Sequence, residues 1–371
     1  MKLYKKFSNL FDVNIIKQLS NKDILISSSN QIKIYSINTF EKIYNFKEIN
    51  SPIISIQNII ELDYSKIHGI LLAISLSDNK IQIIKLFIKN KDNIKYNKKV
   101  LYKHKLIQDI IFKINSKIIN LHINSLLNTI IIGINDIIFY YQSKEKEKII
   151  FKKIEEYKIK SYKNQKNSEI IIRGIKSLKT EQDNFIITIE EVLNKGFDLK
   201  IYYFENLELI THLEDLNIYP EKGQMSFMSY YDKDKIYLIV GDGHDNIMIL
   251  KLFDDFDIYE NICLTRLIKE LFVNKYGKSS NYELKSLCGL NNGTFVVCLY
   301  YNEPLNEKNY IIRCKINFTN RKFELLEIND NAHNNKTNFI TFSALIKNNR
   351  KIEEYFFMSG DHEGMLKLWK I

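Results

Sequence analysis

Pairs of short strands joined by a tight turn recur along this chain, and any fold must find a place for every copy. The last copy shows the layout: Ser359-Gly360-Asp361-His362-Glu363-Gly364-Met365-Leu366-Lys367-Leu368-Trp369-Lys370 reads as a strand end, a turn and a second strand. Gly364 can take the positive φ that a tight hairpin turn needs. Leu366 and Leu368 then share one face of the second strand, with Lys367 and Trp369 on the other.

Earlier copies follow the same plan. Residues 24–36 place Asn30 at the turn and Tyr35 where Trp369 stands in the last copy. Residues 71–84 turn at Asp78-Asn79, asparagine being next after glycine in tolerating positive φ. Residues 130–141 form a third copy, and a looser fourth runs from Phe185 through Asn194-Lys195-Gly196 to Tyr203. The fifth, residues 237–251, turns around Gly241-Asp242-Gly243-His244-Asp245, and the sixth, 294–314, is split by a longer loop at Pro304. Turn to turn, the spacing is about fifty to sixty residues, long for a repeat of this kind.

Further strand-like runs lie between the hairpins, at residues 40–46, 53–57, 207–211, 225–229, 323–327 and 339–343. They predict four strands per unit. Lys2 to Phe7 read as a lone strand with no hairpin before it, which can complete the final unit by pairing with the closing strand. Two stretches resist the scheme. Ile107–Lys113 and Ile118–Ile123 compete for one inner-strand position, and residues 264–272 have the apolar spacing of a short amphipathic helix. The second is read either as a helical insertion over about 256–276 or as an irregular outer strand.

The closing segment resembles the end of a WD repeat, in which a small-residue pair, an Asp-Gly turn and an alternating strand ending in Trp-Asp follow one another. Glu363 stands here for the turn Asp and Lys370 for the final Asp. The resemblance implies an all-β fold: one domain over residues 1–371, a seven-bladed β-propeller of four-stranded antiparallel blades, closed by pairing of the N- and C-terminal strands. It also implies a hydrogen-bonded network tying each blade together, made by a His before the inner strand, a Ser or Thr, the turn Asp and the Trp. In the last unit these positions fall on His333, Ser359 and Trp369, with Glu363 at the acid and Gly364 at the turn glycine. Asp78 and Asp245 match the turn Asp of their own units, and His104 matches the His of the third. These are structural roles.

The charge balance, 54 Lys and Arg against 44 Asp and Glu for a net charge of +10, leans towards nucleic acid or an acidic partner. The cations are spread along strands and loops, however, and clusters such as Lys144-Glu145-Lys146-Glu147-Lys148 are mixed in sign. A hydrophobic share of 45% over 371 residues can bury a large core without disulfides or metals. The four cysteines, Cys263, Cys288, Cys298 and Cys314, include no C-x-x-C pair and read as small core residues in a reducing compartment. No segment approaches eighteen uncharged apolar residues and the N-terminus lacks a secretory apolar run, so the expected location is cytoplasmic or nuclear, with no membrane span.

Catalytic spacings are missing from the sequence. It contains no G-x-S-x-G, no G-x-x-x-x-G-K-[ST] and no G-x-G-x-x-G, and His362-Glu363 is not H-E-x-x-H because Leu366 holds the second His position. His244, beside Gly243 and Asp245, reads as a solvated turn residue. No cofactor and no metal are expected. The leading expectation is a non-enzymatic scaffold or adaptor with protein partners in a larger complex. The rivals are a propeller that positions RNA or tRNA for a partner enzyme and a propeller hydrolase.

Overall fold

The structure is a computed structural model. It describes residues 2–7, 13, 15–28, 31–37, 39–46, 56–62, 69–90, 100–113, 119–124, 129–143, 150–159, 170–179, 184–192, 196–216, 227–232, 235–241, 246–251, 258–263, 282–290, 294–301, 308–317, 322–329, 332–333, 340–349, 352–361 and 363–370. Among them every regular element is a β-strand.

The strands fall into four-stranded sheets taken in sequence, with one exception at the ends of the chain. After β1 (Lys2–Phe7), the first sheet is β2 (Ile15–Gln18), β3 (Ile24–Ser27), β4 (Ile32–Tyr35) and β5 (Lys42–Asn45). The next is β6 (Ile56–Leu62), β7 (Ile70–Leu76), β8 (Lys80–Asn90) and β9 (Val100–Ile111). There follow β10 (Ile119–Asn124), β11 (Thr129–Ile134), β12 (Ile137–Ser143) and β13 (Phe151–Lys158), then β14 (Ile170–Lys179), β15 (Asn184–Val192), β16 (Gly196–Tyr203) and β17 (Leu209–Leu216). Two more are β18 (Phe227–Asp232), β19 (Lys235–Gly241), β20 (Asn246–Lys251) and β21 (Ile258–Cys263), and β22 (Tyr282–Leu290), β23 (Thr294–Tyr301), β24 (Lys308–Asn317) and β25 (Lys322–Asn329). The last sheet combines β26 (Ile340–Asn349), β27 (Ile352–Asp361) and β28 (Leu366–Lys370) with β1, in the order β1-β28-β27-β26. The N-terminal strand thus pairs antiparallel with the C-terminal one, Leu3 opposite Trp369 and Lys6 opposite Lys367, with a bulge at Tyr4.

Compact packing divides the chain into two units, one of Met1–Gln18 with Asn217–Ile371 and the other of Leu19–Leu216. In the second unit, stacking of sheets explains the isoleucine-rich runs. Along β11, Ile130, Ile132 and Ile134 pack with Leu71, Ala73, Ile81 and Ile83 of the preceding sheet. Their neighbour Ile131 packs with Ile172 and Ile186 of the following one. A strand covered on both faces has no polar side to show, so β7 and β11 are buried at every position. Gly133 lies where two sheets come closest: a Cβ there would stand 3.1 Å from Cγ2 of Ile172. The first strands of successive sheets, β6, β10 and β14, lie against one another, which leaves the fourth strands remote from that contact. In the first unit a smaller cluster joins Val296 and Ile311 to Ala332, Phe357 and Trp369, the last two rings stacked at 5.8 Å and 8°.

Several sequence expectations shift. The run 107–113 ends β9 and the run 118–123 begins β10, so the two candidates serve different sheets and do not compete. Ile258–Cys263 is a strand, which removes the first part of the expected helical insertion; the helical stretch 264–272 lies outside the described residues. Strand-like runs at 53–57, 207–211 and 225–229 move by two or three residues, to β6, β17 and β18. Leu207 is excluded from β17 because it sits in the turn at φ 50°, and Phe40 precedes β5 at φ 55°. Apolar letters alone cannot mark a left-handed turn residue.

Candidate functional site

The β27–β28 hairpin gathers a buried polar group. Ser359 and Asp361 are two apart on β27 and share a face, and Trp369 on β28 stands opposite Phe357, one pleat further along. His333 reaches them from the segment that follows β25, and all four residues are at most 4% exposed. Trp369 Nε1 is 2.8 Å from Ser359 Oγ, His333 Nε2 is 2.7 Å from the same oxygen, and His333 Nδ1 is 2.6 Å from Asp361 Oδ2. The indole N–H can only donate, so Ser359 Oγ accepts from Trp369 and passes its own proton to His333 Nε2. His333 Nδ1–H then donates to Asp361, whose other oxygen accepts the Met365 N–H at 2.8 Å. Burial lowers the His333 pKa; the Asp361 bond opposes that shift, and Lys367 and Lys6 add to it. A neutral imidazole is what this chain of donors requires.

Backbone bonds complete the turn. The Asp361 N–H donates to the Met365 carbonyl, the Asp361 carbonyl accepts from Gly364 and Val13, and Gly364 sits at φ 77°. Gly360 is held close to Val13: a Cβ on it would lie 2.5 Å from Cγ1. Lys367 Nζ donates to the Ala332 carbonyl, tying the segment that carries His333 to β28.

Serine, histidine and aspartate in this order have the distances of a nucleophilic triad. Access decides against that chemistry here. Ser359 is completely buried and a lone pair of its Oγ is occupied by the indole N–H. The group closes a hairpin and presents no nucleophile to a substrate.

A second network repeats the register in the other unit. Thr188 stands opposite Lys200 as Ser359 stands opposite Lys367, and Ile186 opposite Tyr202 as Phe357 opposite Trp369. Glu190 follows Thr188 by two residues, in the place of Asp361. No histidine intervenes. The longer glutamate reaches the hydroxyl directly: Thr188 Oγ1 and Tyr202 OH donate to Oε1 at 2.7 and 3.0 Å, and Lys200 Nζ meets Oε2 at 2.5 Å. Glu190 is completely buried and Lys200 3% exposed. Burial, reinforced by Glu190, raises the Tyr202 pKa and keeps its hydroxyl a donor. Beside the group, His212 bridges Asp198 at 2.9 Å and Glu214 at 3.3 Å.

Of the residues singled out in the sequence, His333, Ser359 and Trp369 meet in one network, and Gly364 shapes its turn. Glu363 is exposed, and Asp361 supplies the acid. Asp78 is exposed in the β7–β8 turn; it lies three residues after buried Ser75, so it is out of phase with the inward face. Its neighbour Asn79 carries the positive φ of 60°. His104 lies within β9 rather than ahead of an inner strand, stacked on Phe46 at 4.8 Å and bonded to Tyr44 OH at 2.7 Å. Asp245, His244 and His362 lie outside the described residues. Asp361 and the Glu190 group were missed, although a signal was present: S-x-D with K-x-W at 359–369 and T-x-E with K-x-Y at 188–202. Cys298 and Cys314 are buried and form no disulfide, and burial holds the Cys314 thiol protonated by raising its pKa. Among the described residues no group of three or more His, Cys, Asp or Glu could hold a metal ion, and no helix is long and apolar enough to cross a membrane.

Four-stranded antiparallel sheets, with the last hairpin pinned by a His-Ser-Asp-Trp network, define a WD40-like β-propeller fold. Solved structures agree across nearly the whole chain. A chain in the crystal structure of the mitotic checkpoint complex is 6% identical with a TM-score of 0.61, over 100% of this chain and 94% of that one. Sqt1 of Saccharomyces cerevisiae is 8% identical with a TM-score of 0.54, over 97% and 95%. Raptor of Chaetomium thermophilum is 9% identical with a TM-score of 0.60; the match takes in 98% of this chain and 28% of that longer one. No family model and no curated protein sequence matches the chain.

Proposed function

We propose that this chain is a seven-bladed, closed β-propeller that serves as a non-enzymatic docking scaffold within a multi-protein complex. Its seven sheets would be the blades, and β1 on β28 the seam that closes the ring. The networks around Ser359 and Glu190 would hold individual hairpins rigid, so that loops and outer strands present fixed surfaces. The observation that carries the reading is the WD40-like fold over 97–100% of the chain, shared with a chain from a solved complex. A propeller offers two faces and a rim and suits several partners at once.

Affinity purification of the tagged chain from its native cells, followed by mass spectrometry with and without nuclease, tests it. Stoichiometric proteins that survive nuclease treatment are expected. A chain recovered alone, or one whose partners all vanish with nuclease, refutes the scaffold reading.

A further inference from the structure

Much of the positive charge that reads as spread along the chain belongs to one hairpin. Residues 80–113, which hold β8 and β9, contain ten lysines and two aspartates, with no arginine or glutamate. That is +8 of the net +10, and the other 337 residues together carry +2. β8 and β9, of 11 and 12 residues, are also the two longest strands among the described residues. Only the half nearer the β7–β8 turn joins the core shared with the next sheet, through Ile81, Ile83, Ile110 and Phe112.

The outer half has two different faces. On one, His104 stands opposite Leu86 and is covered from β5, stacked on Phe46 and bonded to Tyr44. On the other, Lys105 stands opposite Lys85 and Lys103 opposite Phe87, so three cations and one ring share a face. Lys103 and Lys105 are exposed, while Lys85 and Phe87 are half-buried, with Lys85 Nζ 4.9 Å from the centre of the Phe87 ring. Among the described residues none of these three lysines has a carboxylate partner. Asp109, opposite Gln82, belongs to the other face and lies 3.8 Å from Lys80.

Like charges set directly across a sheet are destabilising, and Lys85 opposite Lys105 is such a pair. An anion laid over the face would relieve it. A protein partner fits poorly, because the centre of a protein interface is depleted in lysine and three of these four residues are lysines. A single-stranded nucleic acid supplies a row of phosphates for the cations and flat bases for an aromatic ring set among them.

We infer that the face of the β8–β9 hairpin carrying Lys85, Phe87, Lys103 and Lys105 binds single-stranded nucleic acid, its lysines on phosphates and its ring under a base. Oligonucleotide binding is read on the purified chain alone, so it holds or fails apart from the scaffold reading.

Fluorescence anisotropy of a labelled oligouridylate with the full-length chain tests it. Micromolar binding is expected at about 50 mM salt, with log affinity falling against log salt at a slope of about −2 or steeper, for three or more phosphates. Lys103→Gln with Lys105→Gln, both at exposed positions, should weaken binding at least about tenfold and flatten the slope by about 1.4. Adding Lys85→Gln should flatten it by about 2 in all. Replacing three exposed cations of other strands, by Lys153→Gln, Lys158→Gln and Lys370→Gln, removes the same charge and should leave binding unchanged. Unchanged circular dichroism spectra show that the variants are folded. No binding up to about 100 μM, or an equal loss in the control variant, overturns the inference. So does tighter binding of a duplex, or displacement of the oligonucleotide by polyglutamate or anionic lipid vesicles as readily as by unlabelled oligouridylate.

Discussion

Replacing Ser359 by alanine removes one oxygen from the centre of the His333 network, and the cost can be worked from its geometry. The hydroxyl accepts from Trp369 Nε1 at 2.8 Å and donates to His333 Nε2 at 2.7 Å. Both partners are buried, at 2% and 4% exposure, and water cannot take the vacated place. Each of the two orphaned buried groups costs about 1–3 kcal/mol, so the substitution should destabilise the chain by about 2–6 kcal/mol. The loss of volume is a single oxygen, and the cavity contribution is minor beside it. Trp369 is the only tryptophan in the chain, so its fluorescence reports on the site itself. With a urea m-value of about 2–3 kcal/mol/M, the midpoint followed by that fluorescence should fall by about 0.7–3 M. A midpoint within about 0.2 M of the wild type, at a slope of that size, would refute the directional network.

The wild type should lose stability as pH falls below the ordinary histidine value of 6.5, because the folded pKa of His333 is the lower one and the unfolded chain binds the extra proton; urea midpoints between neutral pH and acid, compared with His333→Gln, check this. Lys200→Met leaves the Glu190 carboxylate fully buried with only hydroxyl partners and should cost about 3–5 kcal/mol by thermal or chemical melting, less when Glu190→Leu accompanies it. Gly360→Ala forces a Cβ to within 2.9 Å of Val13 Cβ and should cost about 1–3 kcal/mol, relieved in part by Val13→Ala. Ser75→Ala, at a buried hydroxyl without a hydrogen-bond partner, should leave the melting temperature unchanged or raise it.

Local patterns were legible where physics is local. Alternation and turn chemistry located the hairpins at 71–84, 130–141 and 237–251, because strand period and positive φ depend on neighbours in sequence. The pairing of Lys2–Phe7 with the C-terminal strand followed from counting strands, since a final unit one strand short needs a donor. Strand ends were misplaced where a turn residue such as Leu207 was apolar, because hydrophobicity does not encode φ.

The network is where tertiary structure decided. Sequence offered Glu363 and Asp361 as equally acidic and close to the turn. Only the register of β27 on β28 shows that Asp361 shares the buried face with Ser359 while Glu363 lies beyond the last pair, in solvent. The kinship of Glu190 with Asp361 was hidden for the same reason: the second network has no histidine, and equivalence appears when opposite residues are compared across the hairpin. Composition and periodicity determined that this chain folds as repeated antiparallel sheets, since each residue's face follows from its position in the strand. Which polar residues are buried together depends on strands brought into contact from far apart in sequence, and only the folded chain specifies that.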